Sequence, residues 1–389
     1  MNIISNRRRT IAATLALALA GLAVMPAAEA SAAQPGLLQS QVNAVEATGD
    51  VGVVAEVTDA GRHSFATAGL ADTATGAPAE PYDSFRIGSV TKTFVATVVL
   101  QLVSEGRLSL DDTVARRLPG VVSGNGNDGS KITIRELLQH TSGLYDYTDD
   151  FPELDSTADF LADRYTTYTP EQLVAIAMRH APYFAPGAGW EYSNTDYVLL
   201  GMIIDRVTGH SWQDEVDTRV IEPLGLRHTV APTNSPTLPG PHLDSYSDFG
   251  AGPAIDVTDL NPSAADAAGA MISTTADLTT FYTALIRGRL LPPAQLAEME
   301  TTVPAPGLAV IFPGIRYGLG LAWIPLSCGG GYFGHGGDVP GYSTRDGVTP
   351  DGNRVVVAER TGDGDAPSLG SEEALDTLVD QELCAPSRP

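Results

Sequence analysis

Positive charge is scarce in this 389-residue chain, with 23 Lys and Arg against 47 Asp and Glu and a formal net charge of −24. No basic stripe runs along it. Nucleic acid and anionic membrane surfaces are therefore excluded as expected partners, since binding to phosphates needs such stripes. Beyond the leader no apolar run approaches the roughly 20 residues that a bilayer requires. Cysteine is limited to Cys328 and Cys384. With no Cys-x-x-Cys and no clustered histidines, neither a metal site nor another cofactor is expected. No internal repeat is present, and the length suits one large domain or two modest ones. Lysine is the rarest charged residue, at positions 92 and 131 only, which makes the setting of Lys92 informative.

What is present begins with "MNIISNRRRTIAATLALALAGLAVMPAAEASAAQP". Arg7 to Arg9 form a basic start, an apolar stretch runs over 11–24, and small residues follow around 28–32. This is the anatomy of a secretory signal peptide, expected over 1–32, and the apolar stretch is too short for a membrane anchor. The expected location is therefore extracellular, with the export route, general or twin-arginine, left open. In an oxidising compartment the two cysteines read as one disulfide. It would close a loop of more than 50 residues, an effect of roughly 4 kcal/mol in the chain-entropy description.

Periodicity then organises the chain. A helix is expected over 37–47, followed by two β-type segments at 52–59 and 63–71. Residues 89–105 place Phe94, Val95, Val98, Val99, Leu102 and Val103 at helical spacing, the pattern of a mostly buried helix. Further helices are expected over 133–140, 170–180, 195–209, 211–224 and 274–288, the last with Thr274 as N-cap. The final quarter changes period, with strands expected over 317–326, 332–337, 341–349 and 353–361 and a closing helix over 372–384. Strands at both ends of a helical middle suggest an α/β (α+β) fold: an antiparallel sheet flanked by helices, plus an α-helical subdomain. The expected division puts the sheet part in about 35–115 and 300–389 and the helical part in about 116–299, within a mature domain of 33–389.

Three short motifs carry chemistry. In "FRIGSVTKTF" a helix beginning near Ser89 would bring Lys92, three residues on, to the serine's side. A lysine acts as a base only when its proton affinity is lowered, chiefly by burial. The serine N–H at a helix start would favour a developing oxyanion. "EYSNTDY" supplies Tyr192, a phenol able to relay a proton, and Asn194, an amide able to hold a peptide group. "FGHGGDVPGY" supplies His335 followed by Gly336 and Gly337, glycines beside which an extended substrate could lie as an added strand.

Ser89-Val-Thr-Lys92, Tyr192-Ser-Asn194 and His335-Gly-Gly337, in that order, resemble the motifs of the penicillin-recognising serine hydrolases, in their class C β-lactamase branch. "LLQHTSGL" (137–144) is a further hallmark of that family. The similarity extends over nearly the whole mature chain, both cysteines included, and is greatest to secreted D-alanyl-D-alanine carboxypeptidases. It implies a beta-lactamase/transpeptidase-like fold with the site between the sheet and the helices. It also implies roles: Ser89 as acylated nucleophile, Lys92 or Tyr192 as base, and Tyr192 as proton relay to the leaving amine. Asn194 would hold the acyl-side amide, His335 would assist on the far wall, and the N–H groups of Ser89 and Asp338 would form the oxyanion hole. The implied partners are a small peptide substrate, of peptidoglycan-stem type or a D-amino-acid amide or ester, and β-lactams as acylating inhibitors.

The chain also departs from the carboxypeptidase pattern. Where those enzymes carry His-Thr-Gly-Thr and an arginine to hold a terminal carboxylate, this sequence has Gly336, Asp338 and Ala322, and an expected pocket tryptophan is replaced by Ala264. Loss of the arginine removes a charge-assisted contact, and Asp338 in the cleft would repel a carboxylate. Two readings stand open. Asp338 is a solvent-directed turn residue, with Arg316 or Arg345 supplying the cation; or the pocket takes substrates with no free carboxylate, as D-aminopeptidases, amidases and esterases do. A β-lactamase, or a penicillin-binding module without turnover, is a more distant alternative. His140, His180, His210 and His228 are expected to be structural, and Trp190 and Phe151 are candidates for the cleft wall.

Overall fold

A computed structural model describes residues 36–151, 156–250, 252–363 and 370–386; the expected signal peptide at 1–32 lies outside these residues. In chain order, the first elements that position the site are α1 (Leu37–Glu46), β1 (Gly52–Asp59), β2 (Arg62–Asp72) and β3 (Ala77–Pro78). Four helices follow: α2 (Thr91–Ser104), α3 (Ile134–Gln139), α4 (Asn194–Thr208) and α5 (Thr275–Ile286). Then come β4 (Val303–Pro304), β5 (Arg316–Tyr317), β6 (Ala322–Pro325), β7 (Gly331–Gly334), β8 (Gly337–Val339), β9 (Tyr342–Val348) and β10 (Arg354–Thr361). The closing helix is α6 (Gly370–Cys384).

The layering follows from β1, which is buried at every position. Its alternate side chains enter different cores. Val53, Ala55 and Val57 join Val356 and Ala358 against α1 and α6, through Val42, Val45, Leu375 and Val379. Val54 joins Val355 and Val357 against α2, α4 and α5, through Phe94, Val98 and Phe281. A strand buried at every position must be covered on both sides. The sheet is antiparallel, in the order β4-β5-β6-β7-β9-β10-β1-β2-β3, with β8 paired to β9 as a side branch. On the helical side, Phe94 of α2 stacks on Phe281 of α5 with ring centroids 3.7 Å apart. Mixed helix and antiparallel sheet is the fold class expected.

Local chemistry sets the helix ends near the site. Thr133 and Glu136 form a reciprocal capping box at the start of α3, with Glu136 N–H donating to Thr133 Oγ1 at 3.2 Å and Thr133 N–H donating to Glu136 Oε2 at 2.7 Å. Thr274 caps α5, accepting from Asp277 N–H at 3.3 Å.

Three expected segments differ. The strand expected over 317–326 is a hairpin, β5 and β6. Its turn tucks between two helices: Gly320 has φ +73°, and a Cβ there would lie 2.4 Å from Ala96 Cβ and 2.8 Å from the Tyr197 hydroxyl. Only a glycine fits. The segment expected over 332–337 breaks at His335 and Gly336, because the His335 N–H leaves the ladder and donates to the Asp346 carboxylate at 2.8 Å. The helix expected over 211–224 passes through a π-helical turn at Asp217–Ile221.

Cys328 and Cys384 are bonded, joining the turn after β6 to the end of α6 across a sequence separation of 56. Replacing both with serine is expected to lower the unfolding free energy by about 2–4 kcal/mol, read from urea titration. Thiol titration of the unreduced, unfolded protein should find no free thiol. Among the described residues no helix is long and apolar enough to cross a membrane.

Candidate active site

Ser89 sits in a single 3-10 turn (Gly88–Val90) that runs directly into α2. Gly88 takes φ +47°, and a Cβ on it would come within 2.7 Å of Asp338 N, so the turn lies hard against β8. A side chain at Gly337 would meet Ile87 O at 2.0 Å and Ser89 N at 2.9 Å. The two backbones touch here, and glycine is what lets them. As a result the backbone stretches that carry the Ser89 and Asp338 N–H groups lie against each other.

One turn along α2, Lys92 is completely buried. Its Nζ lies 2.9 Å from Ser89 Oγ, 2.7 Å from Asn194 Oδ1 and 2.7 Å from Ala268 O. Burial pushes its pKa down to about 7, against the opposing pull of the Asp146 and Asp196 carboxyls. In the charged form the ammonium donates to all three oxygens. In the neutral form two N–H bonds remain for Asn194 and Ala268, and the lone pair faces the Ser89 hydroxyl.

Tyr192 is half-buried, its ring 4.8 Å from Lys92 Nζ. Burial raises its pKa well above that of a free phenol, outweighing a hydrogen bond shared with Ser89. Near neutral pH it is a proton carrier, not an anion. Asn194, the first residue of α4, donates through Nδ2 to Asp146 Oδ2 at 3.0 Å and to Thr148 Oγ1 at 3.3 Å. With its amide nitrogen held there, its carbonyl is left to Lys92.

His335 is buried behind the cavity wall, its ring centroid 6.4 Å from that of Tyr192, and both its ring nitrogens are engaged. Nδ1–H donates to Gly336 O at 2.7 Å and Nε2 accepts from the Tyr317 hydroxyl at 2.8 Å. Burial first, and then the Lys92 charge, press its pKa down to about 3, so the ring is neutral. It holds no spare donor for the cleft.

Asp338 belongs to strand β8 and not to a turn, and its side chain is 59% accessible, partly directed to solvent as one reading expected. Its Oδ1 accepts from Ser343 Oγ and from Arg345 Nη1, the latter at 3.0 Å. Desolvation in the cleft raises its pKa, but the Arg345 charge and these hydrogen bonds outweigh it and hold the carboxyl below the usual range. Arg345 also donates to Asp376 Oδ1 at 3.1 Å and Thr344 O at 2.9 Å. Arg316 is committed to Thr302 Oγ1 and O, at 2.9 and 2.7 Å. Neither arginine offers a free cation to a substrate carboxylate.

Ser89, Asn194 and Asp338 open on a cavity of about 400 Å³ whose other walls are largely apolar, with Tyr147, Phe151, Phe160 and Phe249 prominent. Ala264 lines it too, so the space an expected tryptophan would occupy is open. Phe151 reaches the cleft as expected. Trp190 is not part of the cavity wall; it packs behind, against His140 and Tyr317.

Several contributors carried no signal in the sequence. Asp146, Tyr147 and Thr148 lie just beyond the "HTSGL" hallmark, the one clue available; Phe160 comes from a short helix (Thr157–Asp163), Phe249 from a turn and the Ala268 carbonyl from a 3-10 turn (Asp266–Ala268), none marked by a motif. His140 is more than a spacer. It takes a left-handed conformation, φ 59°, at the end of α3 and lies beneath Tyr192 with ring centroids 4.3 Å apart. The Ser193 N–H donates to its Nδ1 at 3.3 Å, and the Asp196 carboxyl, 3.1 Å from the same nitrogen, has its pKa raised by burial.

Known proteins share this architecture. A D-stereospecific amidohydrolase from Streptomyces sp. is 45% identical, with TM-score 0.81 over 89% of this chain and 98% of that one. The D-amino acid amidase of Ochrobactrum anthropi SV3, solved with L-phenylalanine amide, is 31% identical, with TM-score 0.78 over 89% of this chain and 96% of that one. Penicillin-binding protein 4 of Amycolatopsis lactamdurans is 29% identical over 80% of each chain. The match to penicillin-binding protein 4* of Bacillus subtilis, 35% identical over 43% of this chain, spans only 34% of that protein's length. Residues 42–381 fit the family described as Beta-lactamase. The chain belongs to the beta-lactamase family of serine hydrolases.

Proposed function

We propose that the protein is an exported acyl-serine hydrolase that cleaves amides and esters of D-amino acids. The observation that carries this reading is Lys92, fully buried, close to neutrality and 2.9 Å from the Ser89 hydroxyl. Lys92 takes the hydroxyl proton as Ser89 Oγ bonds to the substrate carbonyl carbon. Negative charge developing on the carbonyl oxygen is met by the N–H groups of Ser89 and Asp338. Tyr192 passes a proton to the departing amine or alcohol, and the carbon–nitrogen or carbon–oxygen bond breaks to leave an acyl-Ser89 ester. Water, giving up its proton to the same pair, then releases the acid and restores the serine.

The D-configuration and the amide class are supported by the two amidohydrolases of similar sequence and fold. The carboxypeptidase reading needs a cation for the terminal carboxylate, and none of the residues lining the cavity carries one. β-Lactams are expected to acylate Ser89, since they present the same carbonyl to the same nucleophile. Export rests on the leader.

A substrate panel tests the reading: D-phenylalanine amide, a p-nitrophenyl ester of a D-amino acid, an acylated peptide ending in D-Ala-D-Ala, and a chromogenic cephalosporin. The expected outcome is turnover of the first two, lost in Ser89→Ala, with a penicillin adduct on Ser89 by mass spectrometry. Exclusive release of D-alanine from the peptide would restore the carboxypeptidase reading. Turnover that survives in Ser89→Ala would end both.

A further inference from the structure

Of the residues lining the cavity, Asp338 alone carries a formal charge at neutral pH, and that charge is negative. The rest of the wall is apolar or uncharged. A carboxylate in such a setting is unusual, because an anion beside apolar surface loses hydration that must be replaced. Half of the replacement is built in: Oδ1 is held by Ser343 and Arg345. The register of β8 against β9 places Asp338 opposite Ser343, and Arg345 lies two residues further along the same face of β9. No protein group among the described residues donates to Oδ2, and the side chain stays 59% accessible. Arg345 thus keeps Asp338 ionised and in place while leaving one oxygen for a ligand.

Position decides which part of a ligand that oxygen meets. Gly337 abuts the Ser89 backbone, and Ser89 and Asp338 line the same cavity, so the carboxylate and the nucleophile face one bound ligand. On an amino acid derivative the α-carbon is one bond from the carbon that Ser89 attacks and carries two distinguishing groups, the side chain and the amine. The cavity supplies one apolar, aromatic-lined space and one carboxylate. The two halves of the site match the two substituents.

We propose that Asp338 anchors the substrate's α-ammonium group, so that the enzyme takes amino acid amides and esters with a free amine and a bulky apolar side chain, and discriminates against N-acylated ones. The inference rests on the acyl-serine reading above and narrows its substrate class. A carboxypeptidase acting on acylated peptides would have no use for this arrangement. Asp146, the other carboxylate nearby, is buried and occupied by Asn194 and Thr148, so it does not compete for the ammonium.

The test compares D-phenylalanine amide with N-acetyl-D-phenylalanine amide, each at an enzyme concentration fixed by titrating Ser89 with a fluorescent penicillin. Wild type is expected to favour the free amine by about 10- to 100-fold in kcat/KM, the size of a charge-assisted contact. In Asp338→Asn that ratio should fall at least tenfold, mainly through KM. Equal use of the two amides by wild type, or a ratio in Asp338→Asn within threefold of wild type, would overturn the anchor and leave the acyl-serine reading standing. If neither amide is turned over, the acyl-serine amidase reading fails, and a second measurement still judges Asp338. Phenethylamine should slow penicillin acylation of Ser89 at concentrations at least tenfold lower than 3-phenylpropanoate, its carboxylate counterpart. Equal protection by the two would count against the anchor.

Discussion

Replacement of Lys92 by methionine is expected to cost about four orders of magnitude in kcat/KM, because it removes the base and the partner of the Ser89 hydroxyl together. The same substitution carries a stability signature with a definite sign. In the folded protein burial lowers the Lys92 pKa to about 7 from the ordinary 10.5. Between these values the unfolded chain binds the proton and the folded one does not, so wild-type stability rises with pH across the window. The methionine variant lacks this dependence. Between pH 7 and pH 10 wild type should therefore gain on the variant by about 3 kcal/mol, seen as diverging urea midpoints. A constant difference across the window would mean that Lys92 is not held near neutrality. The same titration should appear in catalysis, as a rise in wild-type kcat/KM through about pH 7.

The second large effect is expected from a single methyl group. Gly337→Ala would put a carbon 2.0 Å from Ile87 O and 2.9 Å from Ser89 N. Neither contact is tolerable, and both neighbours are backbone, so β8 must retreat from the turn that carries Ser89. The two N–H groups that would receive the oxyanion then separate. Removal of one such donor typically costs about 10²- to 10³-fold in kcat, and that is the loss expected here. The accompanying stability loss should be about 1–3 kcal/mol, the usual range for overpacking. Gly336→Ala is the control, since a Cβ there meets nothing closer than 3.4 Å, the Arg345 side chain. Its kcat should fall less than tenfold. Equal losses in the two variants would show that the close approach at Gly337 has no special part in turnover.

Much of this is legible in the residues themselves. Two lysines in the whole chain made the i, i+3 pair with Ser89 conspicuous, and helical spacing alone brought them together. Strands at both ends of a helical middle announced an antiparallel sheet flanked by helices. What could not be read was direction. His335 was expected on the far wall of the cleft, yet its ring bonds to Tyr317 and to the carbonyl of Gly336, with the Tyr317 hydroxyl reaching it across a hairpin whose turn the strand pattern concealed. Whether Asp338 would point to solvent or cleft depended on register between β8 and β9, which the residue sequence of a short, glycine-rich strand does not specify. The acceptors of Lys92 are a further case. Ala268 contributes only a carbonyl, and a carbonyl has no signature in a sequence.

That carbonyl has a mechanical side. The oxygens around the amine of residue 92 belong to three separate stretches of chain, at 89, 194 and 268, and no one of them keeps solvent away by itself. A slight parting of these stretches would admit water, restore the amine's ordinary appetite for protons and silence it as a base, with the β-structure still whole. Under mild denaturant the protein should accordingly fall quiet before it melts.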